Sequence, residues 1–451
     1  MSDSRICPPP ESARDLGFLR GLELDTMLGL VQGRLAAGAR VVELRPDYVR
    51  WKDRDGSLLG FRATLDGEDG VMSTYVTART AAPERLANEA ERLRQRTEER
   101  HRGLRGVRYL PEVDLLLLAF PIDRELRDLR RLVRTTRIRN LVQTHCPQLI
   151  PAGLRISKSR SRHDIVRYKP ERRAVLHWDL GLVGSDDREL QRVSLWIRCH
   201  SEPHASRTRI ATVAAAAAGV PCPTMLGSAH ERLLLESHVD GEAWLPFSSR
   251  SQPDAAAAAA ATLARLHDAE LPTQLPGHGP LAELDRVFRA VEDLDALGAE
   301  LGSAAHRIAD RLARTVPPAA EPVLAHGDMH PGQVLLRPGS DTAGLCDFDR
   351  SCIAPAAFDL AAMLAHCLSA DADNGEAVAD RFLVEYRQRR RLPVQAELAW
   401  WNACALVCAA MSPFRGLRRD WPEAARRLLR RAEIEARAAA GGDAHALEAT
   451  Q

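Results

Sequence analysis

The chain has few lysines, no long apolar run and almost no net charge. Only Lys52, Lys158 and Lys169 are lysines among its 62 basic residues. Chemistry that needs a compact ammonium rather than a guanidinium therefore has three candidates. The longest apolar runs, such as Val213 to Val220, fall well short of the roughly 18 residues that span a bilayer. The opening MSDSRICPPPESARD has no apolar core of a secretory signal. No membrane association is expected, and a cytoplasmic location is. A formal charge of +1, with 27% charged residues, fits a globular protein and does not mark a nucleic-acid or membrane-surface binder, so neither partner is expected, although charge balance by itself says little. The nine cysteines are odd in number and contain no CxxC pair, so reduced, mostly buried thiols are expected.

At 451 residues the chain is long enough for two or three domains. Between residues 40 and 80, VVEL, YVRWK, LLGFRATL and VMSTYVTA alternate with Pro, Asp and Gly turn signals and predict short strands. A polar helix is expected from Pro83 to Arg102. A similar order recurs from 153 to 199 as LRISK, DIVRYKP, AVLHWDLGL and 193–199, followed by a helix over 204–218. The dipeptides Arg45-Pro46 and Lys169-Pro170 fall at corresponding places, which suggests a diverged duplication of one sheet-plus-helix unit; two unrelated meanders are the alternative. From Pro253 onward the pattern is helical, with Asp254 as a cap and helices over 281–315, 375–390, 396–411 and 422–440.

One stretch breaks that helical pattern. VLAHGDMHPGQVLLRPGSDTAGLCDFDRSCIAPAAFDLA, residues 323–361, sets five carboxylates and two histidines beside short apolar strands. A hairpin is expected to present Asp328, Gln333, Asp347 and Asp349 at one end. Phosphoryl transfer requires a carboxylate to accept the proton of the attacking hydroxyl and oxygen ligands to hold Mg²⁺ on the phosphates. Asp328 suits the first task, and Gln333 with Asp347 suits the second. The spacing from His326-Gly327-Asp328 to Gln333 follows the kinase catalytic-loop arrangement, and Asp347-Phe348-Asp349 stands where kinases place D-F-G.

HGDMHPGQVLL followed by LCDFDRSCIAPAAFDLA resembles the aminoglycoside phosphotransferase family, over roughly residues 150–435. The resemblance implies an α+β, bilobal, protein-kinase-like fold with a mostly β small lobe and a mostly α large lobe. The implied division is an N-terminal α+β region over 1–150, a nucleotide-binding lobe and hinge over 151–245, and a helical catalytic lobe over 246–445. It implies Asp328 as catalytic base, Gln333 and Asp347 as Mg²⁺ ligands, and Asp359 as an acid bracing the catalytic loop. His326 and His330 would support loop geometry. Asp349 would give either a second metal contact or a brace. ATP and Mg²⁺ are the implied cofactors and a small polar molecule the acceptor.

Upstream, DIVRYKPERRAVLHWDL resembles the strand-turn-strand often written YKPGRR, so Lys169, Arg172 and Arg173 would lie over nucleotide phosphates, or else form a solvated basic turn. The lysine expected in VSLWIRCH is replaced by Arg198, and the following helix offers no partner glutamate. LLLESHVDGEAW resembles the hinge, where backbone groups from Glu236 through His238 to Val239 would meet adenine. Leu263, Leu266 and His267 in TLARLH read as core, Trp421 near Arg415 as a packing anchor, and Trp400-Trp401 as a buried helix or an acceptor-site wall. The arginine-rich helices lean toward neutral or anionic acceptors. Arg198, the absent glutamate and Ala354-Pro355 in place of Gly-Asp-Pro keep a catalytically weak, nucleotide-binding pseudokinase as the alternative. The N-terminal region is expected to cap the small lobe or to mediate a homodimer.

Overall fold

The computed structural model describes residues 5–51, 56–68, 70–94, 100–244, 252–337, 339–340, 342–370 and 375–441. The chain divides into two compact units: residues 1–203, 226–236 and 413–421 form one, and 204–225, 237–412 and 422–451 form the other.

The first unit opens with α1 (Leu16–Gly21) and α2 (Leu24–Arg34), then β1 (Arg40–Arg50), β2 (Leu58–Gly67), β3 (Gly70–Arg79) and α3 (Pro83–Arg94). A small ribbon, β4 (Arg100–His101) with β5 (Leu104–Arg105), precedes β6 (Val107–Leu110) and β7 (Leu115–Ala119). VVEL and YVRWK are one strand here, because Pro46 sits in β1 at the sheet edge, where a missing N–H costs little, and the strand absorbs it with a register shift between Pro46 and Tyr48. After α4 (Leu129–Leu132) and α5 (Thr135–His145), a second sheet is built from β8 (Arg155–Ile156), β9 (Arg162–Lys169), β10 (Arg173–Val183) and β11 (Glu189–His200). It is completed by β12 (Met225–His230) and β13 (Leu233–Ser237), after the intervening α6 (Ala205–Ala217).

The two sheets share a strand order. The first runs β1-β2-β3-β7-β6 and the second β9-β10-β11-β13-β12, with β8 joining the far end of β10. In both, three strands are followed by a helix and then two strands, the last of which pairs with the third. The local match suggested by Arg45-Pro46 does not hold: that pair lies mid-strand opposite Phe61 and Arg62, whereas Lys169-Pro170 closes β9. One core joins the sheets, since Tyr75 and Phe120 pack on Tyr168 at ring distances of 5.4 and 5.2 Å, with Trp178, Ile138 and Val142 in the same cluster. Trp421 belongs to this unit as an anchor, donating from Nε1 to the Pro8 carbonyl at 2.8 Å and lying 5.2 Å from Phe414.

The second unit is helical around a small β insertion. It contains α6, the short strand β14 (Glu242–Ala243), then α7 (Gln252–His267), α8 (Pro280–Leu297) and α9 (Ala299–Arg314). Asp254 lies in the first turn of α7 rather than at its cap. The helix expected over 281–315 is two, broken at Gly298. Strands β15 (Pro322–Ala325), β16 (Val334–Leu336), β17 (Gly344–Leu345) and β18 (Cys352–Pro355) form the insertion, followed by α10 (Ala356–Ala370), α11 (Gly375–Arg387) and α12 (Gln395–Ala409); the single turn α13 (Ser412–Arg415) then falls almost wholly in the first unit, and α14 (Trp421–Ala439) returns to the second from Pro422. Leu263 and Leu266 sit in the helical core, and Trp400 and Trp401 are buried. The architecture is the expected α+β one: an antiparallel-sheet unit and a helical unit. No two of the nine cysteines form a disulfide. Among the described residues no helix is long and apolar enough to cross a membrane.

Candidate active site

Two short ribbons place the carboxylates. β15 pairs with β18, Ala325 opposite Cys352, and β16 pairs with β17, Val334 opposite Leu345. His326 to Gln333 leave β15 as a loop ending in a 3₁₀ turn over Pro331–Gln333, and Asp347 comes just after β17. The Cys346 N–H donates to the Gln333 carbonyl at 3.0 Å and ties the two loops together.

Asp359, at the start of α10, braces the loop from beneath. It is fully buried and accepts the His326 N–H at 2.6 Å and the Gly327 N–H at 2.9 Å. His267 of α7 contacts the same carboxylate at 3.2 Å while its other ring nitrogen meets the Tyr386 hydroxyl at 2.7 Å. Burial would raise the Asp359 pKa, but the His267 contact and the donated N–H groups outweigh it and hold the carboxyl below its usual range. His267, read as core from the sequence, is thus a buried link in this brace. Gly327 has φ +82, and a Cβ there would stand 2.1 Å from the Arg350 carbonyl, so only glycine fits.

His326 orders its neighbours. Its Nε2 faces the Cys346 carbonyl at 2.9 Å, an acceptor only, so that nitrogen carries the proton. Its Nδ1 then accepts the Asp328 N–H at 3.4 Å. His330 accepts the Gly332 N–H through Nδ1 and lies 4.6 Å from the His366 ring. Burial and His366 push its pKa down to about 3, so it is neutral near pH 7.

Asp328 faces Arg350 at 3.4 Å. Burial would raise its pKa, yet the Arg350 guanidinium leads the groups that oppose burial, and together they hold the carboxyl below the ordinary aspartate value. Asp347 adopts a left-handed backbone, φ +73, at a non-glycine position and accepts the Gln333 Nε2–H at 2.9 Å. Backbone in this region is strained by about 1 kcal/mol or more and is retained where surrounding contacts hold it. Asp349 is buried in the 3₁₀ turn Phe348–Arg350, which packs on α6, and its carbonyl accepts from His204 Nδ1 at 3.1 Å. Asp328, Gln333 and Asp347 therefore meet at one end of the insertion, while Asp349, two residues beyond Asp347, turns toward α6.

The donor set suits a magnesium ion. Asp347 offers carboxylate oxygens and Gln333 an amide oxygen, the hard ligands that Mg²⁺ takes. Gln333 now turns its Nε2 to Asp347 and its Oε1 to the Cys346 thiol at 3.5 Å, so rotation of the terminal amide is what presents the oxygen.

The remaining candidates divide. Arg198 of β11 and Glu236 of β13, each about 5% exposed, form an ion pair at 3.2 Å. The glutamate sought in the helix after Arg198 thus comes from a neighbouring strand instead. In the hinge segment, the Ser237 N–H donates to the Thr224 carbonyl at 2.9 Å. His238 and Asp240, on either side of Val239, face each other at 3.6 Å. In the basic turn, Lys169 pairs across to Arg173, and Arg172 is exposed. Glu171 between them is not: it is buried at φ +58, its carboxylate bound by Arg50, by Arg79 at 3.1 Å and by Arg124 at 3.1 Å. Its N–H donates to Asp123 at 2.9 Å.

Sequence reasoning missed Arg350, whose only signal is its place directly after Asp347-Phe348-Asp349. It also missed a cluster on α8, where Glu283 meets His278 at 2.8 Å and Arg286 at 3.3 Å. His278 stacks on Phe358 at 4.5 Å, and Arg286 experiences the charge of Asp328.

Residues 198–401 match the family model described as "Phosphotransferase enzyme family". No curated protein sequence matches the chain. Among solved structures, a spectinomycin phosphotransferase in complex with ADP and spectinomycin is similar at 12% identity, over 67% of this chain and 98% of that one, with a TM-score of 0.46. A choline kinase from Cryptosporidium parvum is similar at 13% identity, over 67% and 96%, with a TM-score of 0.45. A macrolide 2'-phosphotransferase from Brachybacterium faecium is similar at 15% identity, over 65% and 97%, with a TM-score of 0.42. The hairpin with its brace falls wholly inside the segment that matches this family model.

Proposed function

We propose that the protein is an ATP-dependent phosphotransferase that moves the γ-phosphoryl group to a hydroxyl of a small polar acceptor such as a sugar, an aminoglycoside or a related metabolite. The observation that carries this reading is the convergence of Asp328, Gln333 and Asp347 on a loop whose backbone Asp359 holds in place. Asp328 orients the acceptor hydroxyl and takes its proton as the new O–P bond forms and the bond to the ADP leaving group breaks. Held ionised by Arg350, it is ready to accept that proton at neutral pH. Gln333 and Asp347 are the residues to hold Mg²⁺, with Asp349 as a third oxygen source; the ion supplies charge neutralisation on the phosphates. Lys169, Arg172 and Arg198 are the cations proposed for nucleotide binding, with the backbone of Glu236, His238 and Val239 for the base.

Arg286 and Arg350 set positive charge beside Asp328, which favours a neutral or anionic acceptor over a polycationic one. Arginine in place of the expected lysine at 198 favours a second reading, a nucleotide-binding module of weak turnover. The test is ATP consumption by the purified chain with Mg²⁺ across sugars, amino alcohols and aminoglycosides, with Asp328→Asn as control. Turnover on some acceptor that falls by roughly 10²- to 10⁴-fold in the variant supports the kinase. A rise in melting temperature with Mg²⁺ and ATP but no turnover supports the module, and no rise defeats both.

A further inference from the structure

A cavity of about 300 Å³ opens among α10, α11, α12 and α14, and no residue of the catalytic hairpin lines it. Its walls are apolar where Leu364 and Leu368 of α10, Ala379 and Leu383 of α11, Leu398 of α12 and Ala438 of α14 face it. That volume is large enough for a small ligand.

The polar groups around it are mostly acceptors. Asn402 of α12 also lines the cavity; it is 4% exposed and its amide hydrogen-bonds Glu435. Its Oδ1 is buried with no hydrogen-bond partner, a state that costs free energy until a donor arrives. Glu435, Glu376 and Asp380 bring three carboxylates to the same cavity against one cation, Arg431. That guanidinium is shared between Glu435 and Glu376, at 3.1 Å from each. Negative charge beside an open amide oxygen and an apolar wall selects a donor that is cationic at one end and hydrocarbon at the other. An anion meets repulsion here, and a hydrated metal ion finds no use for the leucines. Burial raises the pKa of the Glu435 carboxyl against the pull of Arg431, and an added cation would favour its ionised form.

We propose that this cavity binds a small amphipathic amine, whose ammonium donates to Asn402 Oδ1 and Glu435 while its hydrocarbon body fills the leucine- and alanine-lined end. The probe is benzylammonium, titrated calorimetrically into the full chain, with benzyl alcohol and benzoate as controls of matching shape. Saturable binding of the amine is expected, weaker binding of the alcohol and none of benzoate. Asn402→Leu and Glu435→Gln should each weaken the amine by about tenfold or more. Ala438→Phe, at a half-exposed position, fills the cavity without touching the core, so its melting temperature should match the parent while amine binding disappears. The proposal is overturned by no saturable heat from any probe, by benzoate binding as well as the amine, or by amine binding that survives Ala438→Phe. The last outcome would place the amine elsewhere, including at the catalytic end.

Discussion

Arg350 decides the protonation of Asp328. Two influences raise that aspartate, its burial and the charge of Asp347, and Arg350 is the strongest of those that lower it. Because its pKa lies below the ordinary 3.8, Asp328 stays ionised as pH falls until well into the acid range. Arg350→Ala removes the opposing charge and leaves burial dominant, so the acid limb of the kcat/KM profile should move to higher pH. The measurement is a pH–rate profile on an active acceptor from about pH 4.5 to 9, where a limb set by a raised carboxylate comes into range. A limb that does not move would deny Arg350 this role. Asp328, Gln333 and Asp347 were legible in the sequence because they fall close together at fixed spacing. Arg350 was not, since nothing in its position announces that its side chain turns back 22 residues to Asp328. Glu236 was legible only as a hinge residue; its partnership with Arg198 is made across a sheet, and pairing between distant strands leaves no local mark.

At the scale of the element, the turn between β9 and β10 differs in kind from a solvated basic loop. The related form YKPGRR has glycine where this chain has Glu171, and the φ of +58 explains the preference for glycine there. The glutamate accepts that strain because Arg50, Arg79 and Arg124, from three separate stretches of the N-terminal region, converge on its carboxylate. The Cβ position of Gly60 lies 3.5 Å from Pro170, so β2 approaches the same turn with no side chain between them. Glu171→Gln leaves the buried Arg79 and the half-buried Arg50 and Arg124 short of a counter-charge and should destabilise the protein by about 3 kcal/mol. Glu171→Gly loses the same pairs but relieves the left-handed strain, and should be milder by about 1 kcal/mol. Urea unfolding of both variants checks the order, and equal losses would mean the backbone strain is immaterial. The strands themselves were readable from alternation and turn signals. The clamp was not, because each of its arginines looks locally like any other surface basic residue in a chain so rich in them.

At the scale of the whole molecule, the shared strand order of the two sheets raises the question of whether residues 1–150 can be separated from the rest of the chain. The core argues against it. Tyr75, Phe120, Leu126, Leu129, Leu132, Ile138, Val142 and Cys146 from that region are each no more than 3% exposed and lie in one cluster with Tyr168, Leu176, Trp178 and Ile197. Each large apolar side chain so buried contributes about 1.5–3 kcal/mol, so removing them forfeits on the order of 10 kcal/mol. That equals the whole stability of a typical domain. The sequence suggests a boundary near residue 150 because composition and motif order change there, and such changes carry no record of which apolar faces meet. Asp123 adds a polar tie across the same position, accepting the Tyr168 hydroxyl at 2.7 Å and the Glu171 N–H at 2.9 Å. A chain beginning at residue 151 should therefore lose the cooperative thermal transition of the full protein and expose apolar surface that binds a hydrophobic dye. A fragment that instead melts cooperatively within about 5 °C of the full chain, a shift worth about 3 kcal/mol at that length and well short of the loss expected, would show that β8 to β13 close their core without the first sheet.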